Sequence, residues 1–179
     1  DRHPRRHLVL QEVCHGGPTY PDDGGCMSHT LLEDVAALKV RYPDRLHLLL
    51  GNHELAELAD YPIQKNRRLL NLMFRIGVVR TYGTDADRVR EAYFAFLRSC
   101  PLALRMARDV FVSHSLPEQL DFRQFDMGFL NRPLDLDDAA ARSEIFDLVW
   151  GRDYRSVNAQ RFAEMVGAKV LIDNDPIRF

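Results

Sequence analysis

The chain has 179 residues, 46% of them hydrophobic and 28% charged, enough apolar material for one domain with a genuine core. Its 24 basic and 26 acidic residues leave a formal charge of -2, so no net field would gather nucleic acid or an anionic membrane, and neither is expected as a partner. Cys14, Cys26 and Cys100 are far apart with no C-x-x-C spacing, which favours reduced thiols in a cytoplasmic protein over a disulfide framework, and no apolar run nears the roughly 18 to 20 residues of a bilayer span.

The opening "DRHPRRHLVLQEV" does not read as a signal peptide. An α/β domain ordinarily begins with a strand and its turn, so a first strand is expected to be missing ahead of this basic stub. His7 to Val13 reads as a short buried strand, followed by a turn-rich segment, "CHGGPTYPDDGG". Ser28 is a good N-cap for a helix carrying Leu31, Leu32, Val35, Ala36, Leu38 and Val40 at helical spacing up to Tyr42. Leu46 to Leu50 is apolar throughout, as a central parallel strand is, and completes a βαβ unit.

Residues 54 to 100 read as three helices: Glu54 to Asp60, Asn66 to Ile76 and Asp85 to Arg98, with Pro62, Gly77 and Gly83 as punctuation. Together residues 55–100 make a helical insertion in a single domain spanning 1–179. "LALRM" and "VFVSH", ending at His114, suit a hairpin. Leu116 to Asp138 is weakly patterned and reads as a loop with short helical turns. Helices are expected over Ala139 to Trp150 and Ala159 to Val166, with Gly167 as a stop and Lys169 to Ile172 as a last strand.

Reacting groups in open α/β sheets collect beyond the carboxyl ends of strands. The strand ends here deliver Glu12 with His15, Asn52 with His53, and His114. Such oxygen and imidazole donors suit Mn²⁺, Fe²⁺ or Zn²⁺. Two such ions can clamp a phosphate oxygen and lower the pKa of water, leaving an imidazole to protonate the departing alkoxide. Glu54, at the start of its helix, reads as structural, complementing the dipole and orienting His53. The basic clusters "RRHL", "KNRR" and "RVR" read as solvated helix faces.

"LLLGNHE", within "YPDRLHLLLGNHE", resembles the G-N-H-E motif of the calcineurin-like metallophosphoesterases, the serine/threonine phosphoprotein phosphatase branch above all. The resemblance implies an α/β fold with a β-sheet core, a sandwich, flanked by helices. It implies Asn52 as a metal ligand and His53 as the general acid. "VFVSHS" is similar to the family strand ending in a metal-binding histidine, which makes His114 a ligand. "LVWGRDY" resembles the L-W-S-D-P segment and sets Arg152 and Asp153 as substrate contacts at the rim. "GAKVLIDNDP" looks like the strand ending G-H-x-P, with Asn174 at the histidine position.

The chain also departs from that pattern. No G-D-x-H-G precedes His7, so two ligands of the first metal are absent. Where G-D-x-x-D-R-G is expected the residues are "QEVCHGG": Glu12 stands for the metal-bridging aspartate, and Gly16 for the phosphate-gripping arginine. The expectation is therefore a metal-dependent phosphoesterase acting on phosphate monoesters, phosphoserine or phosphothreonine of proteins among them, with one Mn²⁺ site formed and the second lacking ligands. The alternative is a catalytically silent pseudo-phosphatase that binds a phosphorylated ligand or protein.

Overall fold

The computed structural model describes residues 3–106, 109–118, 125–135 and 143–173. The fold is mixed α/β, and the chain divides into two compact units, one made of Asp1–Leu48 with His53–Cys100, the other of Leu49–Asn52 with Pro101–Phe179. Among the described residues no helix is long and apolar enough to cross a membrane.

In the first unit, strand β1 (Leu8–Leu10), helix α1 (Ser28–Arg41) and strand β2 (Leu46–Leu48) form the expected βαβ element. β1 and β2 pair in parallel, Leu8 opposite Leu46 and Leu10 opposite Leu48. The first strand is shorter than the apolar run from 7 to 13 suggests, because the chain turns out of it at Glu12, whose φ is +52°. Helix α1 buries Ser28, Leu32 and Val35, a 4-then-3 spacing, while Leu31, Leu38 and Val40 point outward. Ser28 is not its N-cap: Met27 holds that place, and the Ser28 hydroxyl instead accepts the backbone N–H of His15 at 3.0 Å. At the other end Lys39 Nζ donates to the carbonyls of Pro43 and Leu46, where a cation suits the helix dipole.

Helix α2 (Asn52–Leu58) starts two residues earlier than its periodicity suggests. The "KNRR" cluster is not a helix face. It is a two-stranded hairpin, β3 (Gln64–Lys65) and β4 (Arg68–Leu69), closed by Asn66 and Arg67 at φ +51° and +61°. Two consecutive positive φ values are what a type I′ turn requires. Helix α3 (Leu70–Tyr82) follows and runs through Gly77 rather than ending there. A 3₁₀ turn (Gly83–Asp85) then leads into α4 (Ala86–Arg98).

Gly77 is needed for contact. A Cβ there would lie 2.0 Å from the carbonyl oxygen of Cys26, whose own N–H donates to Met73 O at 2.7 Å. Glu33 of α1 accepts the hydroxyls of Tyr82 and Tyr93, tying three helices together. Burial and the neighbouring carboxylate push the Tyr93 hydroxyl well above the ordinary phenol range. Phe74, Val78 and Leu97 close the core of this unit.

The second unit is built on a three-stranded sheet in the order β5 (Ala103–Met106), β6 (Val110–Ser113), β7 (Val170–Ile172). β5 and β6 form the expected antiparallel hairpin, and β7 lies parallel to β6. Helix α5 (Glu144–Trp150) is capped by the Ser143 hydroxyl, which accepts from Phe146 N at 3.0 Å; the 139–142 part of its expected span lies outside the described residues. Helix α6 (Ser156–Val166) ends on Gly167 at φ +62°, with Ala168 N reaching back to Ala163 O. Phe111 of β6 meets Phe162 of α6 edge to face at 5.8 Å, beside buried Val112, Leu148 and Val149. The expected loop after Leu116 contains a 3₁₀ turn over Met127–Asn131.

Candidate functional site

In the first unit the segment leaving β1 is held by acceptors from two helices. Glu54 Oε1 accepts the N–H groups of Val13 and Cys14 at 2.8 and 2.9 Å, and Ser28 takes that of His15. Glu12 and His15, on either side, occupy the left-handed region at φ +52° and +68°. Such a conformation costs a side-chain-bearing residue about 1–2 kcal/mol and persists only where surrounding bonds impose it. Here three backbone donors satisfied by buried side chains do so, and Glu54 is structural as the anchor of this segment.

The constraint aims the His15 ring. Its Nδ1 lies 3.0 Å from His53 Nδ1, and its Nε2 lies 3.2 Å from Glu57 Oε2. A carboxylate only accepts, so His15 donates from Nε2 and, as a neutral ring, accepts at Nδ1. With His15 in that form the proton between the two rings lies on His53 Nδ1, and the other ring nitrogen of His53 is Nε2. Glu57 is buried, with Arg75 Nε at 3.8 Å and Arg90 Nη2 at 3.6 Å from its other oxygen. A Glu57–His15–His53 chain therefore orients both imidazole rings.

His53 and Glu12 line a cavity of about 660 Å³ with Lys65, Arg68, Leu70 and Met73. The three cysteines are free and buried. Burial, then the negative charge of Glu54 and Glu57, raises the Cys14 thiol well above its usual range, and burial raises that of Cys100 to about 12.

In the second unit, His114 leaves the end of β6 and places Nε2 3.0 Å from Asn52 Oδ1, across 62 positions of sequence. Next to it Ser115, fully buried, donates its hydroxyl to Gly151 O. Arg152 Nη1 donates to Ser115 Oγ at 2.8 Å and to Gly151 O at 2.7 Å, and Tyr154 Oη lies 3.1 Å from Ser115 Oγ. Asp153 accepts a two-pronged pair from Arg155, at 2.7 and 2.6 Å. Asn174 lies outside the described residues.

Two donors about 2.1 Å from one octahedral ion stand about 3.0 Å apart. Asn52 Oδ1 and His114 Nε2 have that separation, which is also that of the hydrogen bond between them, so the pair is compatible with one edge of a divalent-metal site. Among the described residues no group of three or more His, Cys, Asp or Glu is placed to hold a metal ion, so the edge is not extended by a third such side chain.

Sequence reading did not single out Glu57, Ser115 or Tyr154, and gave Lys65 and Arg68 only to a solvated face. A signal for Glu57 existed: a carboxylate inside "LAEL", four residues after His53, falls on the same helix face. Comparison with protein-family models and with curated proteins finds no match to this chain.

Proposed function

We propose that this chain is a metal-dependent phosphoesterase of the calcineurin-like type, hydrolysing phosphate monoesters, phosphoserine and phosphothreonine among the candidates. A helix-flanked sheet sandwich is the architecture this reading implies. The observation that carries it is the 3.0 Å approach of Asn52 Oδ1 and His114 Nε2, two donors that the motif pairs and the sequence separates by 62 positions.

In this reading Asn52 and His114 hold Mn²⁺, with Fe²⁺ or Zn²⁺ as alternatives, and Glu12 and Asn174 are further candidate ligands. Bound there, the ion supplies positive charge for the phosphate and lowers the pKa of water. In the acid step His53 is protonated at Nε2 as well as at Nδ1, and it gives the Nε2 proton to the departing oxygen. His15, itself bonded to Glu57, orients that imidazole through its Nδ1. Arg152, steadied by Ser115 and the Gly151 carbonyl, contacts phosphate, with Asp153 beside it.

Turnover of an aryl phosphate in Mn²⁺ tests this. His53→Asn is expected to lower kcat by about 10²–10⁴-fold, the usual worth of a positioned proton donor, at unchanged melting temperature. Unchanged turnover would remove His53 from the reaction.

The absence of a three-residue His, Cys, Asp or Glu cluster among the described residues favours one rival. In it, the chain is a silent relative that binds a phosphorylated ligand. Calorimetric titration with Mn²⁺ separates the two: uptake abolished by His114→Ala supports the enzyme, and no uptake supports the binding module.

A further inference from the structure

The β3–β4 hairpin carries a cost with no visible return. Lys65 and Arg68 are cross-strand partners directly beside its turn, both exposed. Like charges facing each other across an antiparallel pair are destabilising. Arg67 between them sits at φ +61°, a conformation that asparagine or glycine adopts more readily. Several cations elsewhere have carboxylate partners, Arg80 with Asp22 and Asp23, Arg155 with Asp153, and Lys169 with Asp109, while Arg98 rests on the Phe94 ring and Arg105 donates to backbone carbonyls. Lys65 and Arg68 have no carboxylate partner among the described residues, yet both line the cavity that holds His53.

We propose that this cavity binds a small organic phosphate carrying a second anionic group, a phosphate or carboxylate, and that Lys65 and Arg68 hold the second group while the first faces His53. The proposal rests on the phosphoesterase reading for the reacting phosphate. An anion between Lys65 and Arg68 turns their repulsion into shared attraction, which explains why an exposed turn keeps two cations opposed. Glu12 contributes one carboxylate to the same lining against these two cations, and Leu70 and Met73 offer apolar contact for the part of the ligand between its charges. A volume of about 660 Å³ suits a small molecule, since such sites span about 300–1,000 Å³.

Calorimetry on the full chain with 1,3-propanediol bisphosphate and with propyl phosphate tests this. The bisphosphate is expected to bind at least tenfold more tightly than the monophosphate. The Lys65→Gln/Arg68→Gln double variant should lose that preference, while Arg88→Gln, on the surface of α4, keeps it. Thermal melting checks that the double variant is folded, and the two single variants should each lose part of the preference. Equal binding of the two probes by the parent, or a preference that survives in the folded double variant, overturns the subsite. Turnover of aryl phosphate in Mn²⁺ is read separately. Preference without turnover leaves the subsite standing and removes the hydrolase; turnover without preference does the reverse.

Discussion

His15 shows how one residue can serve backbone and chemistry together. Its φ of +68° is one that histidine, asparagine and aspartate tolerate better than most, and its ring joins Glu57 to His53. These two roles can be separated. His15→Asn keeps a residue suited to the left-handed backbone and an oxygen near the position of Nδ1, but cuts the link to Glu57. The expected result is a melting temperature close to the parent's and a kcat for aryl phosphate lowered about tenfold to a hundredfold, with KM within about twofold. A loss confined to stability would make His15 a turn residue only. The residue types around this chain were legible in "CHGG" and "GNHELAEL", but the partner of His53 was not. A bond between positions 38 apart depends on the path of the intervening chain, which no local period encodes.

Among the elements, α3 starts and ends later than its sequence period predicts, for two different reasons. "KNRR" has no apolar residue to set a period, so helix and hairpin are equally open until Asn66 and Arg67 turn left-handed. Gly77 looked like a stop, since glycine in a helix interior costs about 1 kcal/mol relative to alanine. It is retained because the Cys26 carbonyl occupies the space of its Cβ. Gly77→Ala therefore sets a propensity gain of about 1 kcal/mol against a backbone clash at 2.0 Å. The clash should win, with a net loss of about 1–3 kcal/mol read from the urea midpoint, as overpacking typically gives. A stabilised variant would show that the loop from 22 to 26 does not sit against α3.

At the scale of the molecule, acid response reports on burial. Desolvation first, then the positive charge of Lys39 and of His7, lowers the pKa of His47 on β2 below its usual value. The native chain therefore resists protonation there more than the unfolded chain does. Its contribution to stability is present above about pH 6.5 and is lost as pH falls through the depressed native value. Asp147 on α5 acts in the opposite sense. Burial and the neighbouring charges of Glu118 and Glu144 raise its carboxyl, so its contribution is present below the unfolded value and lost as pH rises through the native one. Comparing variants isolates the histidine: between pH 7.5 and 5.5 the urea midpoint of the parent should fall more than that of His47→Gln. Equal falls would place the acid sensitivity elsewhere.

The order of strands and helices was largely present in the sequence. The βαβ start, the hairpin ending at His114, the α6 stop at Gly167 and the return strand β7 follow from apolar period and turn chemistry, which are properties of near neighbours. Tertiary structure decided which polar groups meet: Asn52 with His114, His15 with His53 and Glu57, Ser28 with the backbone of His15 instead of its own helix. It also set Lys65 opposite Arg68 on the wall of a cavity. Secondary structure is selected by a repeat a few residues long, whereas a side chain's partner is selected by where distant loops close, and that closure is a property of the packed chain.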